Sequence, residues 1–300
     1  MRRALTILIA LSLLLGPMLA LGAGRRQLNW ITSVYADGKG NGLKYPESVA
    51  CTDESFVVAD TGNRRILVYS HDGPSITLYT EIELPKAFPI HVQVNSRGDV
   101  YFLDGRDRRI VALDTTGEQS RIVTPKSVPS SREIVPKSFE IDADDNLYIL
   151  DVFSDRVLIL DSDEQYLRHI PFPEDHGFFS DLAVDRLGNI FLLDSVEAVV
   201  YLAKKNAETF SPLTESLKEF MNFPTSLSAD DRGTLYLVDR HGSGLALVGP
   251  DGSFMGRKLG MGWKETGLYY PSQICISLGG IVFIADRSNS RIQLFSLGED

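Results

Sequence analysis

Phe56-Val-Val-Ala-Asp60-Thr-Gly-Asn63-Arg-Arg65-Ile-Leu-Val-Tyr69 is the stretch that decides how this chain is read. Two short apolar runs flank a polar turn that begins with aspartate, the pattern of two antiparallel strands. The same run ending in aspartate returns as Val100-Tyr-Phe-Leu-Asp104, Leu147-Tyr-Ile-Leu-Asp151 and Ile190-Phe-Leu-Leu-Asp194. It appears twice more as Leu235-Tyr-Leu-Val-Asp239 and Ile281-Val-Phe-Ile-Ala-Asp286. Successive aspartates stand 44, 47, 43, 45 and 47 residues apart. Each run follows a second short strand and a polar turn, such as Val92-Gln-Val-Asn-Ser-Arg-Gly98. Most units add a more polar fourth strand, such as Ile76-Thr-Leu-Tyr-Thr-Glu-Ile82.

Four short strands in a period of about 45 residues are the mark of a propeller blade. A lone blade cannot bury both faces, whereas a ring of blades buries each against its neighbours. The last unit stops after its third strand, and an unpaired strand, Leu28–Tyr35, precedes the first. That strand completes the sixth blade and closes the ring. The expected fold is all-β: a six-bladed β-propeller of four-stranded antiparallel blades, closed by the N-terminal strand. The blades fall at about 46–83, 89–128, 136–173, 179–211, 224–260 and 271–297 plus 28–35.

The turns carry a family resemblance. Asp60-Thr-Gly-Asn63-Arg-Arg65-Ile66 and Asp286-Arg-Ser-Asn289-Ser-Arg291-Ile292 resemble the Asp-x-x-Asn-x-Arg-Ile core of NHL repeats. The glycine-rich stretches Gly38–Pro46 and Gly262–Pro271 resemble the family's lead into a proline-headed inner strand. Asp104 with Arg109, and Asp151 with Arg156, match in part; the turns at Asp194 and Asp239 have lost both Asn and Arg. The resemblance implies an NHL-type propeller, in which these aspartates, asparagines and arginines hold the blade turns.

The chain has 300 residues, 43% hydrophobic and 23% charged, with a net charge of −10. Such an acidic surface argues against nucleic acid and anionic membranes as partners. Met1-Arg2-Arg3, the apolar stretch Ala4–Leu15, the break at Gly16-Pro17 and small residues to Ala23 read as a signal peptide over 1–23. The remainder, 24–300, is then exported, periplasmic if bacterial and otherwise extracellular, and monomeric, with no stable membrane insertion after cleavage. The rival reading of the leader is an uncleaved anchor, for which 18 residues broken by Gly-Pro are short.

Candidate chemistry is sparse. Asp142-Ala-Asp144-Asp-Asn146 imitates a calcium loop, but Leu147 and Phe153 occupy its required glycine and glutamate positions. Ser243 lacks the glycines of a nucleophile elbow. His91 and His176 lie near inner strands without a third matching histidine, so no metal or other cofactor is expected. Cys51 and Cys275, counted from Pro46 and Pro271, fall on opposite faces of their strands and are expected as free thiols. Ser211–Met221 reads as a helix, with Leu213, Leu217, Phe220 and Met221 on one face.

The expected function is a non-catalytic scaffold that binds a protein or peptide through one propeller face, the acidic balance favouring a basic partner. Arg106, Arg108, His176, Phe178, Phe179, His241, Trp263 and Lys264 gather on the loops of that face and are the candidate anchors. The rival reading is a metal-dependent propeller lyase or hydrolase with its site in the central channel.

Overall fold

The computed structural model describes residues 26–118, 120–129 and 133–299, so the leader lies outside the described residues. Six four-stranded antiparallel sheets stand around one axis. Blade one is built from Ser48–Cys51, Ser55–Asp60, Arg65–Asp72 and Ser75–Glu83. Blade two runs through Pro89–Val94, Val100–Asp104, Arg109–Leu113 and Ser120–Ile122, and blade three through Pro136–Ile141, Leu147–Asp151, Arg156–Leu160 and Tyr166–Pro171. Blade four is Phe179–Val184, Ile190–Asp194, Val199–Ala203 and Ser211–Pro212; blade five is Pro224–Ala229, Leu235–Asp239, Gly244–Val248 and Phe254–Lys258. In blade six, Gln273–Ile276, Ile281–Asp286 and Arg291–Glu299 are joined by Arg26–Val34. That N-terminal strand pairs antiparallel with Arg291–Glu299, so the ring closes by the two ends of the chain, as expected.

Burial follows from the stacking. The second strand of every blade is apolar on both sides, because each side faces another blade. Val57 and Ala59 pack toward blade two, whereas Phe56 and Val58 pack toward blade six. Six separate apolar clusters result, one in each joint between blades.

The aspartate that ends each second strand clamps the chain leading into its own inner strand. Asp60 accepts from the Lys44 N–H at 2.7 Å, Asp104 from Phe88 at 2.9 Å, and Asp151 from Val135 at 3.0 Å. Asp194 accepts from Phe178 at 3.1 Å, Asp239 from Phe223 at 3.0 Å, and Asp286 from Tyr269 at 2.7 Å. Four residues after each aspartate the backbone turns left-handed, at Arg64, Arg108, Asp155, Ala198, Ser243 and Ser290, with φ between 48° and 54°. None of the six is glycine, so the clamp holds a conformation that an L-residue resists.

In blades one, three and six the arginine five residues on completes the clamp. Arg65, Arg156 and Arg291 each donate through Nε to the blade's aspartate, at 2.7, 3.0 and 2.7 Å. Asn63 and Asn289 bridge the same carboxylates to the carbonyls of Gly42 and Gly262. Blade two departs: Arg109 is exposed and pairs with Asp107 at 2.8 Å. In blade five Arg257 reaches Asp239 from the outer strand at 2.6 Å. Asp194 makes do with backbone N–H groups.

Two expectations are corrected. Residues 212–221 are not a helix: Ser211–Pro212 forms blade four's outer strand against Leu202 and Tyr201. Beyond it, the Leu213 N–H donates to the Val200 carbonyl and the Thr214 hydroxyl accepts from the Val200 N–H. Pairing with an open blade edge outweighs local helical spacing, and Leu217 and Met221 then drop into the joint with blade five across a single turn.

Cys51 and Cys275 are not free thiols but a disulfide, with Cα atoms 6.0 Å apart. Opposite faces of their own strands are the faces that meet, because the back of blade six stacks on the front of blade one. Inner strands also converge toward the axis, closer than the ~10 Å of stacked sheets on which the free-thiol expectation rests.

Candidate functional site: the central channel and its mouth

The register of the inner strands places one polar side chain per blade at the same level. Each pairs with the residue before the blade aspartate, or lies at its equivalent: Ser48, His91, Ser138, Asp181, Ser226 and Gln273. Together they form a girdle that stitches the ring. Ser48 Oγ accepts from Val92 N–H at 2.9 Å, and the Ser138 hydroxyl lies 2.5 Å from Asp181 Oδ1. Asp181 Oδ2 accepts from Leu227 N–H at 3.2 Å, and Gln273 Oε1 from Val49 N–H at 3.0 Å. Ser226 is the exception: its hydroxyl oxygen is buried and has no hydrogen-bond partner among the described residues.

His91 belongs to the girdle as well. Its Nε2 lies 2.9 Å from the Phe139 carbonyl and its Nδ1 3.1 Å from Gln273 Nε2. The carbonyl requires a donor and the amide N–H an acceptor, so the ring is a neutral Nε2–H tautomer. Burial, the dominant influence, lowers its pKa and keeps it neutral.

Below the girdle, Gln93 donates to Glu140 at 2.9 Å in a 200 Å³ cavity that the disulfide also lines. Burial, reinforced by the Asp181 charge, holds the Glu140 carboxyl well above the usual range.

Above the girdle, on the face that carries the second-to-third-strand turns, the channel opens into a 280 Å³ cavity. Glu47, Lys137, Ser226 and Arg240 line it, with Phe178 and Phe223 as apolar walls. In four blades the residue following the blade aspartate ties that turn to another blade, and in blade five it lines this mouth. In blades one and four it is Thr61 or Ser195, which donates to the carbonyl of Pro89 or Pro224 at the head of the next inner strand. In blades five and six it is Arg240 or Arg287, whose longer side chains both reach Glu47. Arg287 Nε holds Glu47 Oε1, whereas Arg240 Nη2 stands 3.6 Å from Oε2. Burial lowers the Arg240 pKa; Glu47 opposes the shift and Arg287 adds to it. Lys137 sits across the mouth with its ammonium 5.8 Å from the Phe178 ring centroid, and it has no ion-pair partner among the described residues.

The anchors expected from sequence are dispersed on this face. Only Phe178, 41% exposed, lines the mouth. Phe179 is buried, and His176 stacks on it at 4.8 Å. His241 stacks on Phe223 at 5.2 Å. Arg106 lines a separate shallow hollow with Arg64, Lys86 and Phe88, and Arg108 occupies a left-handed turn position. Trp263 is 77% exposed beside Tyr269, and the Lys264 carbonyl accepts from the buried Arg291. The mouth residues Glu47, Lys137, Ser226 and Arg287 were not singled out from sequence. Counting register back from each aspartate would have found Ser226, and the position after the aspartate Arg287; Glu47 and Lys137 precede girdle positions.

Among the described residues, no three His, Cys, Asp or Glu side chains converge as a metal-holding group. At the mouth, His91 and Asp181 have their ring nitrogens and carboxylate oxygens committed to protein partners and Glu47 is held by arginines, so the mouth does not fit a metal centre.

No protein-family model matches the chain, and no curated protein matches it in sequence. Solved structures do. The chain is similar to virginiamycin B lyase from Staphylococcus aureus, with 14% identity, a TM-score of 0.61, and coverage of 91% of this chain and 100% of the lyase. It is similar to a gluconolactonase from Xanthomonas campestris, with 14% identity, a TM-score of 0.66, and coverage of 93% and 91%. A Bacteroides thetaiotaomicron protein of unknown function shares 17% identity at a TM-score of 0.66, over 91% of this chain and 76% of that one. At such identities the likeness establishes the six-bladed propeller. The NHL family expected from the turn motifs is not recovered. The expectation of a non-catalytic scaffold is likewise overturned, because the similar propellers of stated activity are a lyase and a gluconolactonase.

Proposed function

We propose that this protein is a propeller enzyme, a hydrolase or lyase, working at the mouth of its central channel. The observation that carries the reading is that Glu47, Arg240 and Lys137 line one concave cavity on the axis, with Arg287 paired to Glu47 behind it. Ester or lactone hydrolysis and elimination beside a carbonyl share two needs: a proton acceptor, and stabilisation of negative charge developing on oxygen. Glu47 supplies the first and the surrounding cations the second. In the similar virginiamycin B lyase, a histidine-to-alanine variant is catalytically inactive and has been solved with quinupristin. Here the one histidine lining the mouth, His91, has both ring nitrogens engaged, so proton transfer falls to Glu47. Export, expected from the leader, belongs to the same reading; an oxidising compartment suits the Cys51–Cys275 bridge.

The test is turnover by the purified protein of a panel of glucono-lactone, small aryl esters with and without a free carboxylate, and a streptogramin B depsipeptide. At least one should be consumed, and Glu47→Gln should lower kcat by about a hundredfold or more while the circular dichroism spectrum stays unchanged. No turnover of any substrate, or full kcat in a folded Glu47→Gln protein, overturns the proposal.

A further inference from the structure

We propose that the mouth takes an anionic small molecule, a carboxylate, held by Arg240, Lys137 and the Ser226 hydroxyl; this rests on the enzyme reading and adds the class of substrate. Charge is the first ground. The chain carries a net charge of −10, yet two cations, Lys137 and Arg240, line its channel mouth, and a third, Arg287, engages the Glu47 carboxylate there. Glu47 is shared by two guanidiniums, and Arg287 holds it more closely, so Arg240 is left under-compensated beside the cavity. Lys137 has no carboxylate partner among the described residues. The lining itself holds two cations, Lys137 and Arg240, and two carboxylates, but Glu47 is held by Arg287 from outside the lining and Asp181's oxygens are already occupied by Ser138 and the Leu227 N–H.

The second ground is independent of charge. Ser226 is 2% exposed, lines this cavity, and is the girdle member whose hydroxyl has no partner. A buried hydroxyl left unpaired is costly, and a ligand acceptor in the mouth would satisfy it. The third ground is shape. A planar guanidinium matches a planar carboxylate, and Phe178 and Phe223 offer apolar walls for the carbon skeleton beyond it. The cavity suits a small organic acid and is too small for a folded partner.

Calorimetric titration of the whole protein with benzoate, its neutral counterpart benzamide, and inorganic phosphate tests the inference without requiring turnover. Benzoate should bind saturably, benzamide not at all, and phosphate at least about tenfold more weakly than benzoate. Arg240→Gln and Lys137→Gln should each weaken benzoate by about tenfold or more, and Ser226→Ala by a few-fold. Glu47→Gln should tighten binding, because it removes a competing carboxylate. Lys137 is exposed, so its variant stays informative even if Arg240→Gln fails to fold. Equal binding of benzamide, phosphate binding as tight as benzoate, unchanged affinity in folded Lys137→Gln, or weaker binding in Glu47→Gln overturns the inference. An enzyme that turns over a neutral lactone but binds no benzoate sinks this inference alone; benzoate binding without any turnover sinks the enzyme reading alone.

Discussion

Removing the bridge between Cys51 and Cys275 is the perturbation whose size the structure predicts most directly. The two cysteines are 224 residues apart in sequence and join blades one and six at the joint where the ring closes. In the chain-entropy treatment, a cross-link over a loop of that length restricts the unfolded chain by about 5 kcal/mol at 25 °C, near the top of the range seen for disulfides. Without it, closure rests on the pairing of Arg26–Val34 with Arg291–Glu299 and on the apolar joint around Val49, Phe56, Phe283 and Leu294. Cys51→Ala/Cys275→Ala should therefore fold to the same propeller but lose about 3–5 kcal/mol. Guanidinium unfolding, followed by far-ultraviolet circular dichroism, measures this loss. The slope of the transition should rise in the variant, because an unlinked chain exposes more surface on unfolding. Both cysteines line the lower channel cavity, so dithiothreitol should produce the same shift in the native protein without prior denaturation. Equal midpoints and slopes for the oxidised protein and the double variant would refute the reasoning.

Two further outcomes follow from the blade clamps. Burial alone would raise the Asp194 carboxyl, but the N–H groups of Glu197, Gly177, Phe178 and Val196 outweigh it and hold its pKa below the usual range. A depressed folded pKa contributes stability that is present above the unfolded value and lost as pH falls through the folded one. Asp194→Asn should cost about 2 kcal/mol at pH 7 and flatten the loss of stability below about pH 4, read from urea melts across pH; an unchanged acid profile counts against the clamp. Arg291 is 1% exposed and its guanidinium serves Asp286, the Tyr35 hydroxyl and the carbonyls of Lys264 and Gly267. Arg291→Met should destabilise by about 3–5 kcal/mol in thermal melts, with partial recovery on adding Asp286→Asn; no recovery would mean that the lost carbonyl contacts, not the stranded carboxylate, dominate.

The repeat made the architecture readable because its causes are local. Alternating apolar runs, turn aspartates and a constant period specify strand positions and blade number whatever lies across the ring. The girdle was readable in principle for the same reason: Ser48, His91, Ser138, Asp181, Ser226 and Gln273 recur at the spacing of the blades themselves. Blade five shows the limit. Its turn lacks the expected arginine, and the guanidinium arrives from Arg257 on another strand, where no motif announces it. Leu213, Leu217 and Met221 keep helical spacing, yet an unpaired edge at Val200–Leu202 draws the chain into a strand.

Sequence alone therefore determined six blades, their strand order, the closing strand and the aspartates that hold the turns, since each depends on neighbours along the chain. Only the closed ring decided that Cys51 meets Cys275, that Arg240 and Arg287 share Glu47, and that Lys137 and Ser226 face the same cavity. Those groups come from blades far apart in sequence. Their distances are fixed by the stacking of face against back around one axis, a relation that no local period encodes.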